Sequence, residues 1–483
     1  MARKLLLLIL VLLVGGLLAG PYLFGAQAER LHRQFAQQLA QGPATVKQSE
    51  FSRGWLKSSA RDVLEVCSLA AGCREVVISS VLHHGPIAFT GILDGVAPFA
   101  PVQAVMLSRM RPAGLFPALK PELPELTITT VAALDGSARA VLEMPASTHT
   151  AEGKSGPVKL ALGGIGGEFT GSTGSERVSG NARLASLKLE DASGASLALT
   201  GVELRVDGEA GGSGFVGMIE EKIAGLTVMT APQDPQPLAL KGFSLSLNAA
   251  RGGDGLGQSQ FKGSIQGLAA GGREYGPAAL EGETLRVNRV AMARLQREVK
   301  ALEAQKKSPQ EILAAYQKGL QEVLGSRPEL NLKSLSIKAP EGELLASLKL
   351  VGVPPQGELE LSAWLKLLQA EFSLQIPAVT LWNILDAQLQ QAAHQAAARS
   401  GQPVALPSQD AIGAKVDELV KANVFVPKLD ANAYTLQVAL LEGRLLVNGQ
   451  ENPAFGSVLQ LMSAQKQTPP PPAAEVQEAA PAP

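Results

Sequence analysis

The sequence predicts a β-rich α+β protein. The expected architecture is a long, curved, mainly antiparallel sheet with helices packed on it or capping it, behind a single N-terminal transmembrane helix. Three observations carry this. Apolar and polar residues alternate with period two through much of 126–287, which gives strands one buried and one solvated face. Glycine clusters at 163–167, 211–214 and 252–257 punctuate those strands at hairpin-like spacing, and alternation joined by hairpins implies antiparallel pairing. Residues 5–26 carry no charge and number 22, and a helix of that length spans about 33 Å, enough for a hydrocarbon core.

Composition bounds the function classes. Apolar residues make up 46% of the 483, which excludes wholesale disorder, and aromatics only 4%, so the apolar mass is Leu, Ala and Val. The 43 Lys+Arg nearly cancel the 44 Asp+Glu, and no basic block stands out, which argues against nucleic-acid partners. Five His and two Cys exclude a Cys-rich zinc array and a disulfide-dense miniprotein.

Taken in order, the first element is the 5–26 run. Arg3 and Lys4 precede it, so the positive-inside bias keeps the N-terminus cytoplasmic and exports everything after residue 28. The competing reading is a cleaved signal peptide, since Ala26, Gln27 and Ala28 have the small-x-small form. Against cleavage, Tyr22, Leu23 and Phe24 continue the apolar surface up to that site. Residues 29–41 follow as a juxtamembrane helix. Strands are expected at 46–56, 60–66 and 74–89. Prolines at 98, 101, 112, 117, 121 and 124 predict an irregular excursion over 95–125, with neither a long helix nor a central strand.

The period-two body then runs to 287. Within it, Val202, Leu204 and Val206 are expected on the apolar side, and Glu203 and Arg205 in solvent. Met292, Leu295, Val299 and Leu302 fall at helical spacing, and Ser308, Pro309 and Glu311 start a second helix with a capping box. Strands resume at 329–351 and 358–376. Helices are expected at 382–399 and 410–422, and a hairpin at 434–449 turns around Glu442 and Gly443. The tail from 468 is Pro-rich and leans to polyproline II. The implied segments are 1–28 anchor, 29–287 β-rich body, 288–325 helical hairpin, 326–455 second β/α part and 456–483 disordered tail.

Few residues invite a chemical reading. Cys67 and Cys73 can meet across a hairpin, and an exported chain permits a disulfide there; two buried thiols are the alternative. His83 and His84 are neighbours on a strand and face opposite sides, so one ion cannot easily use both. Gly163 to Gly167 has the look of a phosphate loop but precedes no helix. No nucleophile elbow, zinc-helix motif, P-loop or paired-carboxylate cluster stands out, so neither enzyme activity nor a metal or other cofactor is expected.

Several segments together resemble one family, the YdgA-like proteins of the Gram-negative envelope, whose function is unknown. Phe51, Arg53, Gly54, Trp55 and Ser58 are similar to its aromatic-x-Arg-Gly-aromatic-x-x-Ser signature, with Phe51 where Tyr is common. His84, Gly85 and Pro86 resemble its His-Gly-Pro motif. Leu335 to Glu343 resembles a later strand pair, and Leu445, Val447, Asn448 and Gly449 a C-terminal hairpin. The resemblance implies an uncleaved anchor and supplies no catalytic residues. More distantly, the long β series looks like AsmA-type envelope proteins, whose sheet grooves are linked to lipid handling.

The sequence therefore points to a single-pass protein of the bacterial inner membrane, anchored through residues 5–26, with a periplasmic body. Two functions compete. One is a binding module that holds or conducts lipid or another amphiphile in an apolar groove. The other is a ligand-free structural or assembly protein of the envelope, as a homo-oligomer. An open apolar face favours the first and a covered one the second.

Overall fold

The structure, a computed structural model, describes Gly25, Ala26, Glu29, His32 and Arg33, and residues 44–451 apart from 69–71, 112–118, 154–155, 173–174, 212–213, 231–236, 253, 271, 306, 355–365 and 401–405. The described chain forms two compact units. Unit 1 holds Met1–Gly282 with Ile337–Pro340, and unit 2 holds Glu283–Ser336 with Glu341–Pro483. The division falls inside a strand at 282/283 rather than at a linker.

Unit 1 is an antiparallel ladder. It begins with β1 (Ala44–Ser52), β2 (Lys57–Ser68), β3 (Gly72–His84), a short helix α1 (Phe89–Leu93) and β4 (Val102–Arg111). It continues through β5 (Leu119–Lys120), β6 (Leu126–Ala133), β7 (Ser137–Met144), β8 (Ser147–Gly153), β9 (Gly156–Leu162) and β10 (Ile165–Ser172). The long strands β11 (Ser175–Glu190), β12 (Ser196–Gly211), β13 (Gly214–Met229) and β14 (Leu238–Arg251) follow, then β15 (Gly257–Ile265), β16 (Gly267–Ala270), β17 (Arg273–Tyr275) and β18 (Ala278–Val287). Pairing runs β1–β2–β3–β4–β6–β7–β10–β11–β12–β13–β14–β15, with β9, β8 and β5 branching from β11.

Two sequence expectations are corrected here. The sheet, expected to be long and curved, is a long antiparallel ladder that is open and not curled into closure: β1, at one end, pairs only with β2 among the described residues. No pairing among the described residues returns the far strands to the first. Second, β4 is a central strand between β3 and β6, where the prolines had predicted an excursion. Pro101 and Pro112 bracket 102–111 and none lies inside, so every ladder amide of β4 is free to donate.

The transmembrane expectation is also corrected. No helix among the described residues is long and apolar enough to cross a membrane. Residues 1–24, which carry most of the apolar run, lie outside the described residues; Gly25 and Ala26 at its end are helical. The single-pass anchor, the inner-membrane location and the membrane as partner therefore have no support in the structure. The Pro-rich tail also lies outside the described residues.

Unit 2 opens with a helical hairpin. In α2 (Arg289–Ala304) the Asn288 side chain caps the Ala291 N–H at 3.0 Å, and Leu295 and Val299 are buried. In α3 (Pro309–Gly325) Ser308 and Glu311 form the reciprocal capping box, with Pro309 in the first turn. Gly319 lets the two helices approach, since a Cβ there would meet the Leu295 side chain. Strands β19 (Glu329–Ala339), β20 (Gly342–Gly352), β21 (Leu368–Pro377), β22 (Val426–Lys428), β23 (Ala433–Leu441), β24 (Arg444–Val447) and β25 (Gln450–Glu451) make the unit's antiparallel sheet. Helices α4 (Ala378–Ser400) and α5 (Gln409–Lys421) cover one end of it. Ile376, Leu381, Leu385, Ile412 and Val416 are the buried centre of that contact.

Candidate functional site

The residues that carry the family resemblance in the first half of the chain converge at the edge of unit 1. β2 and β3 pair with Lys57 opposite His83 and Ser58 opposite Leu82, so His83 and His84 point to opposite faces of the sheet.

On one face, His84 Nε2 lies 3.0 Å from Ser58 Oγ, and its Nδ1 lies 3.0 Å from the Trp55 carbonyl. A carbonyl only accepts, so Nδ1 carries the proton and Nε2 accepts from the Ser58 hydroxyl in the neutral ring. The Gly54 amide donates to the same hydroxyl at 3.3 Å, and the His84 amide donates to the Leu56 carbonyl at 2.9 Å. Helical Gly25 lies against the ring, where any Cβ would sit 2.6 Å from it. A serine hydroxyl donating to a histidine has the form of an activated nucleophile. Here Ser58 is 2% exposed and His84 1%, so the pair is sealed from solvent. What the arrangement does is tie the loop 53–56 and the start of the described chain to β3.

A second buried group continues along that face. Asp62 accepts from Ser49 Oγ at 2.6 Å and contacts His32 Nε2 at 3.0 Å, and the His32 ring lies 5.3 Å from that of Phe51. Burial pushes the Asp62 carboxyl up, but the hydrogen bonds from His32 and Ser49, with the His32 charge, outweigh it and hold the carboxyl below its ordinary value. Arg53 pairs with Glu29 at 3.6 Å at the exposed rim. His32, Ser49 and Asp62 are not legible in the sequence: Ser49 and Asp62 meet only through the β1–β2 pairing and His32 only where its helical segment lies against them, and the Asp and His residue types are the one hint.

On the other face, His83 Nδ1 bonds Thr90 Oγ1 at 2.9 Å in α1, and Gly91 lies against the ring. His83 Nε2 is buried without a hydrogen bond; Asp94 Oδ2 stands 3.8 Å away. Burial lowers the His83 pKa, Lys57 and His84 lower it further, and Asp94 opposes them. Gly85 and Pro86 turn the chain out of β3 through a cis peptide. The Gly85 amide donates to the Gln103 carbonyl at 2.8 Å, and a Cβ at Gly85 would overlap the Val102 carbonyl oxygen.

The remaining motif residues stand elsewhere. Asn448 and Gly449 lie in unit 2, at the turn after β24. Asn448 adopts φ 47°; its Oδ1 accepts from the Gln437 amide at 2.8 Å and its Nδ2 donates to the Asn423 and Val424 carbonyls. It is a pin between β23 and the end of α5. Cys73 is disulfide-bonded, and the ladder register sets Cys67 directly across from it. Among the described residues no three His, Cys, Asp or Glu gather to hold a metal ion.

The exposed surface of unit 1 lies further along the ladder. Register aligns Val206–Ile219–Leu247, Leu204–Glu221–Leu245 and Val202–Ile223–Phe243 as three rows on one face of β12–β14. None of the nine is buried, and Leu204 and Leu245 are each 36% exposed. The opposite face carries the charges, including the Glu220–Lys222 pair at 3.1 Å and Arg177–Asp207 at 3.5 Å.

A family of bacterial proteins of unknown function, DUF945, matches residues 2–454. The chain belongs to this family. The match bears out the YdgA-like resemblance and covers every motif segment from Phe51 to Gly449. Among curated proteins and among solved structures, nothing matches the chain. Membership of the DUF945 family thus brings no activity with it, and the functional reading rests on the geometry.

Proposed function

We propose that the protein is a non-catalytic binding module that takes an amphiphile on the open apolar face of β12–β14. One observation carries this. The alternation of these strands gives one face of Val, Leu, Ile and Phe around Glu221, and that face is partly exposed where a core would be dry. Exposed apolar area costs about 25 cal/mol per Å², and a contiguous field of it marks a contact surface. The sealed Ser58–His84 pair supports the non-catalytic part of the reading, because a hydroxyl at 2% exposure does not meet a substrate.

The test is mass spectrometry of solvent extracts from the purified full chain, beside the Leu204→Asp variant. Because Leu204 reaches water, the variant is expected to fold; its carboxylate faces that of Glu221 across the strand pair, so the stability loss is about 1–2 kcal/mol, and the lost apolar contact is expected to remove the co-purifying amphiphile. An extract without amphiphile from the wild-type protein, or unchanged content in the variant, overturns the proposal.

A further inference from the structure

We infer that this face selects amphiphiles bearing a cationic amine, with Glu221 as the group that reads the charge. The inference rests on the amphiphile proposal and adds the chemistry of the ligand's polar end.

Glu221 is the middle residue of β13 in the three rows described above, and the other eight positions are apolar. Leu204 and Leu245 stand directly across from it on either side, at about 5 Å strand spacing, and Ile219 and Ile223 lie above and below it on its own strand. Its neighbours in sequence, Glu220 and Lys222, point to the opposite face and pair with each other there. Among the described residues no side chain offers Glu221 an ion pair or a hydrogen bond. The other face differs in kind: charges are many there, and Arg177–Asp207, Glu220–Lys222 and Lys262–Glu281 pair with each other, whereas Glu221 is the one charge among the nine positions of its field.

A lone carboxylate in an apolar field is a poor choice for a sheet that merely packs. It suits a sheet that receives a ligand. When an alkyl chain covers Leu204 and Leu245, water leaves the carboxylate as well. A neutral headgroup then leaves the charge desolvated and unpaired, an anionic one repels it, and an ammonium supplies the counter-charge and the N–H donors. Three strands span about 10 Å, which is wide enough for an alkyl chain to lie beside the carboxylate.

The experiment titrates the full chain with decylammonium, decyl maltoside and decyl sulfate below their micelle concentrations, by calorimetry. Decylammonium is expected to bind about five- to tenfold more tightly than the maltoside, with the sulfate weakest, and the preference should shrink at high salt. Glu221→Gln should abolish the preference and keep maltoside binding. Glu203→Gln, on the charged face, should keep the preference. Leu204→Lys, which supplies an internal cation opposite Glu221, should also abolish it, so the inference stays testable if the Gln variant does not fold. Equal binding of the three probes overturns the charge selection while the amphiphile proposal stands. A preference that survives Glu221→Gln or Leu204→Lys assigns the cation elsewhere and overturns it too. Binding of none of the probes overturns both.

Discussion

At the scale of single residues, the buried hydrogen bonds around β3 hold the first strands of unit 1 together. Ser58→Ala removes the donor to His84 Nε2 and the acceptor of the Gly54 amide, leaving buried polar atoms unpaired. The expected loss is about 1–3 kcal/mol by urea unfolding. Gly85→Ala is expected to cost more, because its Cβ meets backbone at Val102, which cannot rotate away as a side chain can. Acid should weaken the same region in two steps. His83 has a lowered folded-state pKa, so its neutral form is favoured by folding; that contribution is complete above about pH 6.5 and is lost as the pH falls through the folded value. Asp62 is also lowered, so its contribution is complete above about pH 4 and fades on further acidification. Urea midpoints measured from pH 7 to pH 3 should fall in both windows, and His83→Gln should flatten the upper one. A midpoint that rises on acidification between pH 7 and 5 would contradict the assignment.

At the scale of elements, hairpins and caps give local tests. The β2–β3 hairpin sets Cys67 opposite Cys73 at its tip. Denatured protein is expected to take up no alkylating reagent without reductant and two labels after reduction, read by mass. Full labelling without reductant would exclude the bridge. In the helical hairpin of unit 2, Ser308→Ala breaks the capping box and should cost about 1 kcal/mol. The local chemistry of α3 was legible in the sequence because a cap, a proline at the first turn and a closing Glu act within four residues. β4 was not, because the density of prolines over 95–125 reads as irregular chain, whereas their positions at the strand's ends leave its amides free to donate.

At the scale of the whole molecule, the question is what one face of the long strands is for. The Leu204→Asp variant separates a dry core, where a buried charge would cost several kcal/mol, from an open face, where it would not. Leu204 at 36% exposure places the expectation with the open face. Unfolding of that variant, seen by loss of cooperative thermal melting, would mean that the face is covered in solution.

By itself the sequence determined the strand-rich class, the helices of unit 2 and their caps, the opposite faces of His83 and His84, and family membership. These are properties of short windows or of ordered motifs, and period two and period 3.6 are visible without tertiary information. Tertiary structure decided what those windows could not hold. Cross-strand register joined Ser58 to His84 over 26 residues, and a helical residue laid against β2 joined His32 to Asp62 over 30. Tertiary structure also left the ladder open, with no strand pairing that closes it among the described residues, and the apolar face of β12–β14 partly exposed. Alternation assigns a residue to a face, but whether that face is covered depends on what the rest of the chain lays over it. For the same reason Glu221 reads in sequence as one more charge on a strand, and only its neighbours Leu204 and Leu245 on adjacent strands show that it stands alone among apolar side chains.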